Sequence, residues 1–185
     1  MLYGSKIKLR YYEIKDFDLV MKLRNLPESY DWFYEFEPIN SFMTKSWWEQ
    51  SFNKKDEKNF IIADIKTDEA IGTCSLVHID YRSRKCEFGR FIIDPELSHP
   101  KAAVEAEYLI LEYAFEHLGL NKVYIEVLKN NTKVISLHNK FGFVGESVFR
   151  EHVFKANSFV DAVGMALFNK VFNENKARFQ KIISK

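Results

Sequence analysis

The sequence predicts an α/β (α+β) fold. In this fold, helices cover both faces of a mixed, mostly antiparallel twisted sheet of about seven strands. Two patterns lead to this prediction. Apolar and polar residues alternate at 59–65, 70–79 and 86–94, with short polar connections between them, which indicates an antiparallel meander. A helical stretch of about 18 residues then leads to another alternating stretch at 122–128, so this strand should pair in parallel with 86–94 through a crossover.

Length and composition favour a single domain over residues 1–185. The chain is 46% hydrophobic and 29% charged, and its 27 basic and 26 acidic residues leave a net charge of +1. A general nucleic-acid or membrane-surface binder would carry a basic excess, so we expect neither kind of partner. No apolar run reaches the roughly 18 residues of a membrane span, and the start of the chain lacks the apolar centre of a signal peptide. We therefore expect a cytoplasmic protein.

The first quarter of the chain begins with a strand and a helix. Residues 6–12 alternate as a strand, and Asp16 is a favoured cap for a helix that ends near "NLPES". Residues 28–43 are aromatic and irregular, and Thr44 opens a second helix. The part that reads "YDWFYEF" is too aromatic for an ordinary connection, and such loops commonly line a ligand pocket.

After the strand at 86–94, the spacing of apolar residues changes from alternation to a helical period, and it returns to alternation at residue 122. Small and apolar residues at helical spacing, from Ala103 to Ala114, mark an amphipathic helix that runs to His117. Two long alternating stretches, 143–154 and 158–168, finish the chain as a hairpin.

A short helix lies between the strand at 122–128 and this hairpin. Asn131, Ile135 and His138 are spaced to share one face of it. An apolar stripe beside that face should pack on the sheet and place His138 at its edge; the stripe consists of Val134, Leu137 and Phe141.

The stretch "YIEVLKNNTKVISLHNKFGFVGE" resembles the GNAT superfamily of acetyl-CoA-dependent N-acetyltransferases. Members of this superfamily have a strand here, then an Asn, then a helix whose last turn usually carries Tyr, then Lys-x-Gly-Phe. Asn131 stands at the Asn position, His138 at the usual Tyr position, and "KFGF" at the ending. The resemblance covers essentially the whole chain. The final "FVDAVGMALF" is similar to the last strand of the branch that contains ribosomal-protein and spermidine N-acetyltransferases.

A narrower resemblance concerns the acceptor. "LRNLPESYDWFY" and "IEVLKNN" look like the aminosugar N-acetyltransferases of the pseudaminic acid pathway, which act on a nucleotide-linked 4-amino sugar. The resemblance implies acetyl transfer to a primary amine on such a sugar. A protein N-terminus and a polyamine are the alternative acceptors, and Asp31, Glu35 and Glu37 could supply the acidic cluster that a polyamine needs.

The superfamily resemblance implies that acetyl-CoA binds as co-substrate between two splayed central strands. Main-chain groups of Phe91, Ile92 and Ile93 would hydrogen-bond the pantetheine arm, and Asn131 would touch that arm as well as cap its helix. The family's pyrophosphate loop usually contains glycines, whereas the segment here reads "ELSHPKAAVEAEYL". A helix N-terminus and a lysine still favour phosphate. The residues across the loop are Ser98, His99, Lys101, Ala102 and Ala103. If the loop no longer binds the cofactor, the chain is a non-catalytic ligand-binding module.

Three residues are the candidates for acid–base catalysis. The aminosugar resemblance implies that Glu126 is the base. Glu87 is the alternative, because many members of the superfamily use a glutamate on the strand that corresponds to 86–94. His138 would act as the general acid in place of tyrosine. An unperturbed tyrosine, with a pKa of about 10, stays protonated through the neutral range, whereas an unperturbed imidazole, near about 6.5, does not.

The acceptor would be bound by residues near the first helix and the aromatic segment. These candidates are Arg24, Asn25, Trp32, Tyr34, Trp47 and Tyr81. No histidine, cysteine or carboxylate pattern has metal-ligand spacing, so we expect no metal. We expect a monomer, or a homodimer formed by the final strands.

Overall fold

The computed structural model describes residues 1–34, 37–51, 53–97 and 99–183. The described strands are β1 (Leu2–Tyr3), β2 (Ile7–Tyr11), β3 (Lys58–Asp64), β4 (Ala70–Asp80), β5 (Lys85–Ile93), β6 (Lys122–Leu128), β7 (Val144–Lys155) and β8 (Ser158–Phe168). The described α-helices are α1 (Phe17–Arg24), α2 (Pro27–Trp32), α3 (Ser41–Ser51), α4 (Ala102–Glu112), α5 (Thr132–Lys140) and α6 (Asn169–Ile183). A π-helical turn, Tyr113–His117, extends α4.

These strands form one sheet in the order β1-β2-β3-β4-β5-β6-β8-β7. Every neighbouring pair is antiparallel except β5 and β6, which are parallel and joined through α4. The mixed α/β fold, the meander and the parallel crossover are therefore confirmed. The described sheet has eight strands rather than about seven because the two-residue β1 adds to its edge.

Alternation along the central strands gives the sheet two apolar faces. Phe60 and Ile62 of β3 belong to the main core, which α4, α5 and α6 cover. Ile61 and Ala63 of the same strand face the other way and pack with Val20 of α1 and with α3. Adjacent strand residues point to opposite faces, so the sheet is covered on both sides, as expected.

Three helices differ from the sequence prediction. We expected residues 28–43 to be irregular, but Pro27–Trp32 forms α2, since proline is well suited to the first helical position. We expected the chain to finish in the hairpin, but α6 follows it. Phe172 and Phe179, seven residues apart on α6, are both buried in the core. The helix that we expected to open at Thr44 begins at Ser41.

Across the described residues, no helix is long and apolar enough to cross a membrane.

Candidate active site

The two parallel strands at the centre of the sheet separate after three residue pairs. Glu87 and Tyr124 form the last of these pairs. Beyond it, β5 continues to Ile93 and β6 to Leu128 without pairing to each other. Within the described residues, the backbone groups of β5 that face β6 therefore have no strand partner there. A linear molecule that carries amide groups can hydrogen-bond into such an opening, as a third strand would.

A β-bulge lies on β5 beside this opening. The register between β4 and β5 shifts so that Arg90 and Phe91 share one facing residue, Cys74. Arg90 has a φ of 51°, in the left-handed region that residues with a side chain rarely adopt. The bulge bends β5 and changes the direction of its backbone N–H groups near the point where the strands separate.

The side chain of Arg90 holds this bulge from the α1–α3 face of the sheet. Its Nη1 donates to Glu57 Oε2 at 2.7 Å and to Asn59 Oδ1 at 3.0 Å, and its guanidinium lies over the Trp47 ring, 5.4 Å from the ring centroid. Burial alone would raise the pKa of Glu57. The hydrogen bonds from Arg90 and Lys54 outweigh this effect and bring the pKa to about 2.

The predicted contacts to the pantetheine arm lie at the open end of β5. Phe91 belongs to the bulge, and Ile92 and Ile93 pair with β4, at Thr73 and Gly72. Their strand therefore has its β6-facing edge available. This arrangement fits the extended amide arm of acetyl-CoA.

The predicted pyrophosphate loop leads directly into α4. Lys101 is the N-cap residue of the helix, and its N–H donates to His99 Nδ1 at 3.4 Å. Ala102 N–H donates to the His99 carbonyl, and Ala103 is in the first turn, where helix N–H groups have no partner inside the helix. Lys101 has a φ of −115°, so a residue with a side chain fits there without glycine. Ser98 lies outside the described residues.

Two carboxylates lie on the sheet face opposite the main core, beside the opening. Glu126 accepts a hydrogen bond from the Tyr34 hydroxyl at 3.4 Å, and Glu87 pairs with His78 Nδ1 at 2.9 Å. Burial and then the Glu126 charge raise the pKa of Tyr34, and Glu87 adds to the effect. Burial and then Glu87 raise the pKa of Tyr124 in the same way, with Glu126 contributing. Both phenols therefore stay protonated at neutral pH, close to two negative charges.

His152, on the edge strand β7, lies beside Glu126 and Tyr34. Its Nε2 is 3.9 Å from Glu126 Oε2, and its ring meets Tyr34 edge-on at 5.7 Å between centroids. Lys155, three residues further on, donates to the carbonyls of Tyr30 and Phe33 and so ties α2 to β7. This tie holds the Tyr34 segment over Glu126.

His138 lies on the other face of the sheet and is buried. It is only 4% exposed, whereas its helix neighbours Val134 and Leu137 are half-buried. We expected His138 at the edge of the apolar stripe, but its side chain is more buried than those of Val134 and Leu137, which belong to the stripe. The reason is Glu107 of α4, which is fully buried and lies 2.7 Å from His138 Nδ1. A hydrogen-bonded partner allows a polar ring to be buried.

The remaining predicted site residues are more dispersed. Asn25 bonds the backbone of Ile39 through both its amide nitrogen and its amide oxygen. Arg24 lies over the Phe33 ring at 4.9 Å, and Trp32 is partly exposed at the end of α2. Arg24 and Asn25 thus contact the chain on either side of Tyr34, at Phe33 and at Ile39.

Two further predicted groups are not brought to the opening. Tyr81 lies in the turn before β5, at the end of the strand where β5 and β6 are still paired. Asp31 and Glu37 are solvent-exposed, and Glu35 lies outside the described residues. Among the acidic residues that the structure describes, it is instead the two strand glutamates that lie beside the opening.

Asn131 caps α5, as predicted from its residue type. Its Oδ1 accepts the N–H of Val134 at 3.3 Å, and the residue is 6% exposed. The predicted contact of Asn131 with the pantetheine arm remains a proposal.

Two residues of this region did not emerge from the sequence. Arg90 carries no local signal, because a bulge depends on the neighbouring strand. Glu107 did leave a signal, since it lies four residues after Ala103 and three before Ile110 on the apolar side of α4. An acidic residue at such a position indicates a buried partner.

The described ranges contain no group of three or more histidine, cysteine, aspartate or glutamate residues that could hold a metal ion.

Comparison with known proteins places this geometry among acetyltransferases. The model of the acetyltransferase (GNAT) domain matches residues 6–144. Spermidine N(1)-acetyltransferase of Escherichia coli (strain K12) is 29% identical over 182 residues, which cover 97% of this chain and 96% of that protein. The Vibrio cholerae spermidine N(1)-acetyltransferase is 29% identical over 173 residues, which cover 91% and 96%.

A solved structure shows the same architecture. The chain superimposes with a TM-score of 0.85 and 26% identity on spermidine N-acetyltransferase from Vibrio cholerae in complex with CoA and spermine, and the match covers 92% of this chain and 99% of that one. The resemblance to aminosugar N-acetyltransferases gains no support from these relatives, which are named for spermidine. The predicted preference for a nucleotide-linked sugar is therefore not supported.

Proposed function

Because this chain belongs to the GNAT acetyltransferase family, we propose that it transfers the acetyl group of acetyl-CoA to a primary amine of a polyamine. The chain is an acetyl-CoA-dependent N-acetyltransferase, and acetyl-CoA is its co-substrate. The proposal concerns the acceptor. It is carried by one observation, namely that Glu87 and Glu126 lie on the same sheet face where β5 and β6 separate.

A pair of carboxylates suits an acceptor that carries several ammonium groups. Opposite charges attract such a cation into the site, and the attraction is stronger where burial keeps water away. The Tyr34 hydroxyl next to Glu126 adds a polar wall to this site. The relatives named for spermidine agree with a cationic acceptor.

The same carboxylates can prepare the amine for attack. An amine attacks only in its neutral form, so a base must first remove a proton from the ammonium group. Glu126 and Glu87 are the two candidates, acting directly or through water. We propose Glu126 as the base, because the Tyr34 hydroxyl donates a hydrogen bond to it just beyond the last paired residues of the two strands, and Glu87 as the alternative.

Backbone groups on β5 can stabilise the charge that develops on the carbonyl oxygen. An N–H fixed near the bulge at Arg90 and Phe91 is a preorganised donor of this kind. We propose that the rest of the strand, through Ile93, binds the pantetheine arm. His138 would then give a proton to the leaving sulfur from the opposite face.

A panel of acceptors tests the proposal most directly. Purified protein is assayed with acetyl-CoA and, in parallel, spermidine, spermine, a nucleotide-linked 4-amino sugar and peptides with free N-termini. We expect turnover of the polyamines and of neither other class. Turnover of the sugar nucleotide or of peptides, with none of the polyamines, would refute the polyamine assignment.

Calorimetry separates the enzyme from a ligand-binding module with an altered pyrophosphate loop. We expect acetyl-CoA to bind at micromolar to submillimolar concentration, since the helix N-terminus and Lys101 still favour phosphate. No binding at millimolar acetyl-CoA would favour the module. The expected cytoplasmic location, the monomer or homodimer and the absence of nucleic-acid and membrane partners stay predictions.

A further inference from the structure

A buried histidine–glutamate pair joins α5 to α4 behind the opening between the central strands. His138 Nδ1 and Glu107 Oε1 are 2.7 Å apart. The His138 ring meets Phe88 edge-on at 5.9 Å between centroids. Phe88 is the first β5 residue after the last parallel pair, Glu87 with Tyr124. The ring therefore lies at the point where the two strands begin to separate.

We propose that Glu107 and His138 act as one proton-holding unit, in which Glu107 is a positioning residue that keeps a proton on His138 Nε2 for the leaving thiolate. This inference rests on the proposed function and deepens it, because it assigns the source of the proton for the departing sulfur. Nδ1 is engaged by Glu107, so Nε2 is the ring nitrogen that can serve the substrate.

Burial favours the form of the pair that carries no net charge. Glu107 is fully buried, and within the described residues its Oε2 has no hydrogen-bond partner. An ionised carboxylate beside a neutral ring would leave one unpaired negative charge in the core, which is costly. Burial accordingly raises the pKa of Glu107, while His138 opposes that effect. The neutral pair keeps two protons, one between Oε1 and Nδ1 and one on Nε2.

The groups around the ring do not offer another charge. Among the described residues, its hydrogen bond is to Glu107 on α4, and its ring contacts are with Phe88 on β5 and Phe143 after α5. Two of these are apolar rings. Glu107 is thus the titratable group among these contacts.

In the proposed step, one proton passes from the pair to the leaving sulfur. The amine nitrogen bonds to the acetyl carbon, the carbon–sulfur bond breaks, and its electron pair stays on sulfur. The proton on Nε2 of His138 moves to the sulfur. The proton shared by Glu107 Oε1 and His138 Nδ1 ends on Nδ1, which leaves the ring neutral and Glu107 as a carboxylate. Water then returns one proton to the pair, and the acceptor has released two protons on the opposite face.

The first test compares Glu107→Gln with Glu112→Gln. Glu112 lies on the same helix, but it accepts a hydrogen bond from Tyr108 and pairs with Lys176. We expect Glu107→Gln to lower kcat at pH 8 by about tenfold or more, with KM for acetyl-CoA within about twofold. The loss should shrink toward pH 6, where an isolated imidazole is itself protonated. Glu112→Gln should keep the wild-type profile. An unchanged kcat and pH profile in Glu107→Gln would overturn the proposal.

A second test replaces His138 by an acid that does not need Glu107. In the His138→Tyr background the acid is a phenol, which does not depend on a carboxylate to keep its proton at neutral pH. We therefore expect Glu107→Gln to cost less than about twofold in kcat in that background. An equal loss in both backgrounds would mean that Glu107 acts only on structure, and would overturn the proposal.

The last test requires neither turnover nor a variant of Glu107. Nitrogen-15 spectra of histidine-labelled wild-type protein without substrate report which ring nitrogens carry protons, and His138→Tyr identifies the signals of residue 138. We expect a proton on His138 Nε2 at pH 7.5. A bare Nε2, with the proton on Nδ1 facing an ionised Glu107, would overturn the proposal whichever amine is the acceptor.

Discussion

Glu126 and Glu87 differ in their partners, and single substitutions can separate their roles. We predict that Glu126→Gln lowers kcat for spermidine by about 10²-fold, because an amide cannot accept a proton from the ammonium group. Glu87→Gln should mainly raise KM for the amine, since it removes one attractive charge. Steady-state kinetics of both variants checks this. Glu49→Gln on the exposed side of α3 is the matched control. The reverse pattern would make Glu87 the base.

His138 is expected to matter for the rate rather than for cofactor binding. We predict that His138→Ala lowers kcat much more than it raises KM for acetyl-CoA, because the proton donor acts only as the sulfur leaves. His138→Tyr should restore part of the rate and extend activity to higher pH, since a phenol keeps its proton there. Rates of the alanine variant within about twofold of wild type, with an unchanged pH profile, would mean that His138 only packs.

The start of α5 depends on one side-chain cap. Asn131 Oδ1 accepts the Val134 N–H, and replacing such a cap by alanine costs about 1 kcal/mol. We predict that Asn131→Ala lowers the free energy of unfolding by about that amount in urea titrations, whereas Asn131→Ser keeps most of it. If Asn131 also contacts the pantetheine arm, KM for acetyl-CoA should rise in both variants. A KM that rises in neither leaves Asn131 as a cap alone.

The bulge on β5 is held by the ion pair between Glu57 and Arg90, and this pair makes stability depend on pH. The pKa of Glu57, about 2, lies below that of an unfolded glutamate, so its contribution is complete above about pH 5. The contribution is lost as pH falls toward about 2. We predict that Glu57→Gln costs about 1 to 3 kcal/mol at pH 7 and almost nothing near pH 2.

Denaturant titrations at several pH values check this prediction. Glu69→Gln is the control, because Glu69 is exposed in the turn between β3 and β4. A cost for Glu57→Gln that is the same at pH 7 and near pH 2 would show that the ion pair does not stabilise the bulge.

For the molecule as a whole, substrate binding should close a gap that the sheet leaves open. The pairing of β5 with β6 ends at Glu87 and Tyr124. A ligand that bonds to both strands beyond this point should therefore stabilise the folded protein. We predict that acetyl-CoA at 100 times its dissociation constant adds about 2.7 kcal/mol to the free energy of unfolding. Thermal melts should then rise by several degrees, whereas free acetate should have no effect. An unchanged melting temperature in saturating acetyl-CoA would contradict this view of the gap.

Much of the fold could be predicted from the sequence because it depends on patterns among neighbouring residues. The alternation of β3, β4 and β5 and the helical period of α4 are local signals, and together they predicted the parallel crossover. The six-residue α2 could not be predicted, since it has no apolar period and begins at Pro27. The bulge at Arg90 could not be predicted either, because it is a mismatch between two strands.

The sequence by itself determined that Asn131 and His138 share a helix face, because the period of a helix sets the direction of each side chain. It also determined that Glu126 and Tyr124 lie on the sheet face opposite the apolar residues of β6. Only the tertiary structure decided what meets these faces. Glu107 is 31 positions from His138, and Tyr34 is 92 positions from Glu126. Such contacts depend on how α4 and α5 pack on one face of the sheet and how α2 is tied to β7, which no local pattern encodes.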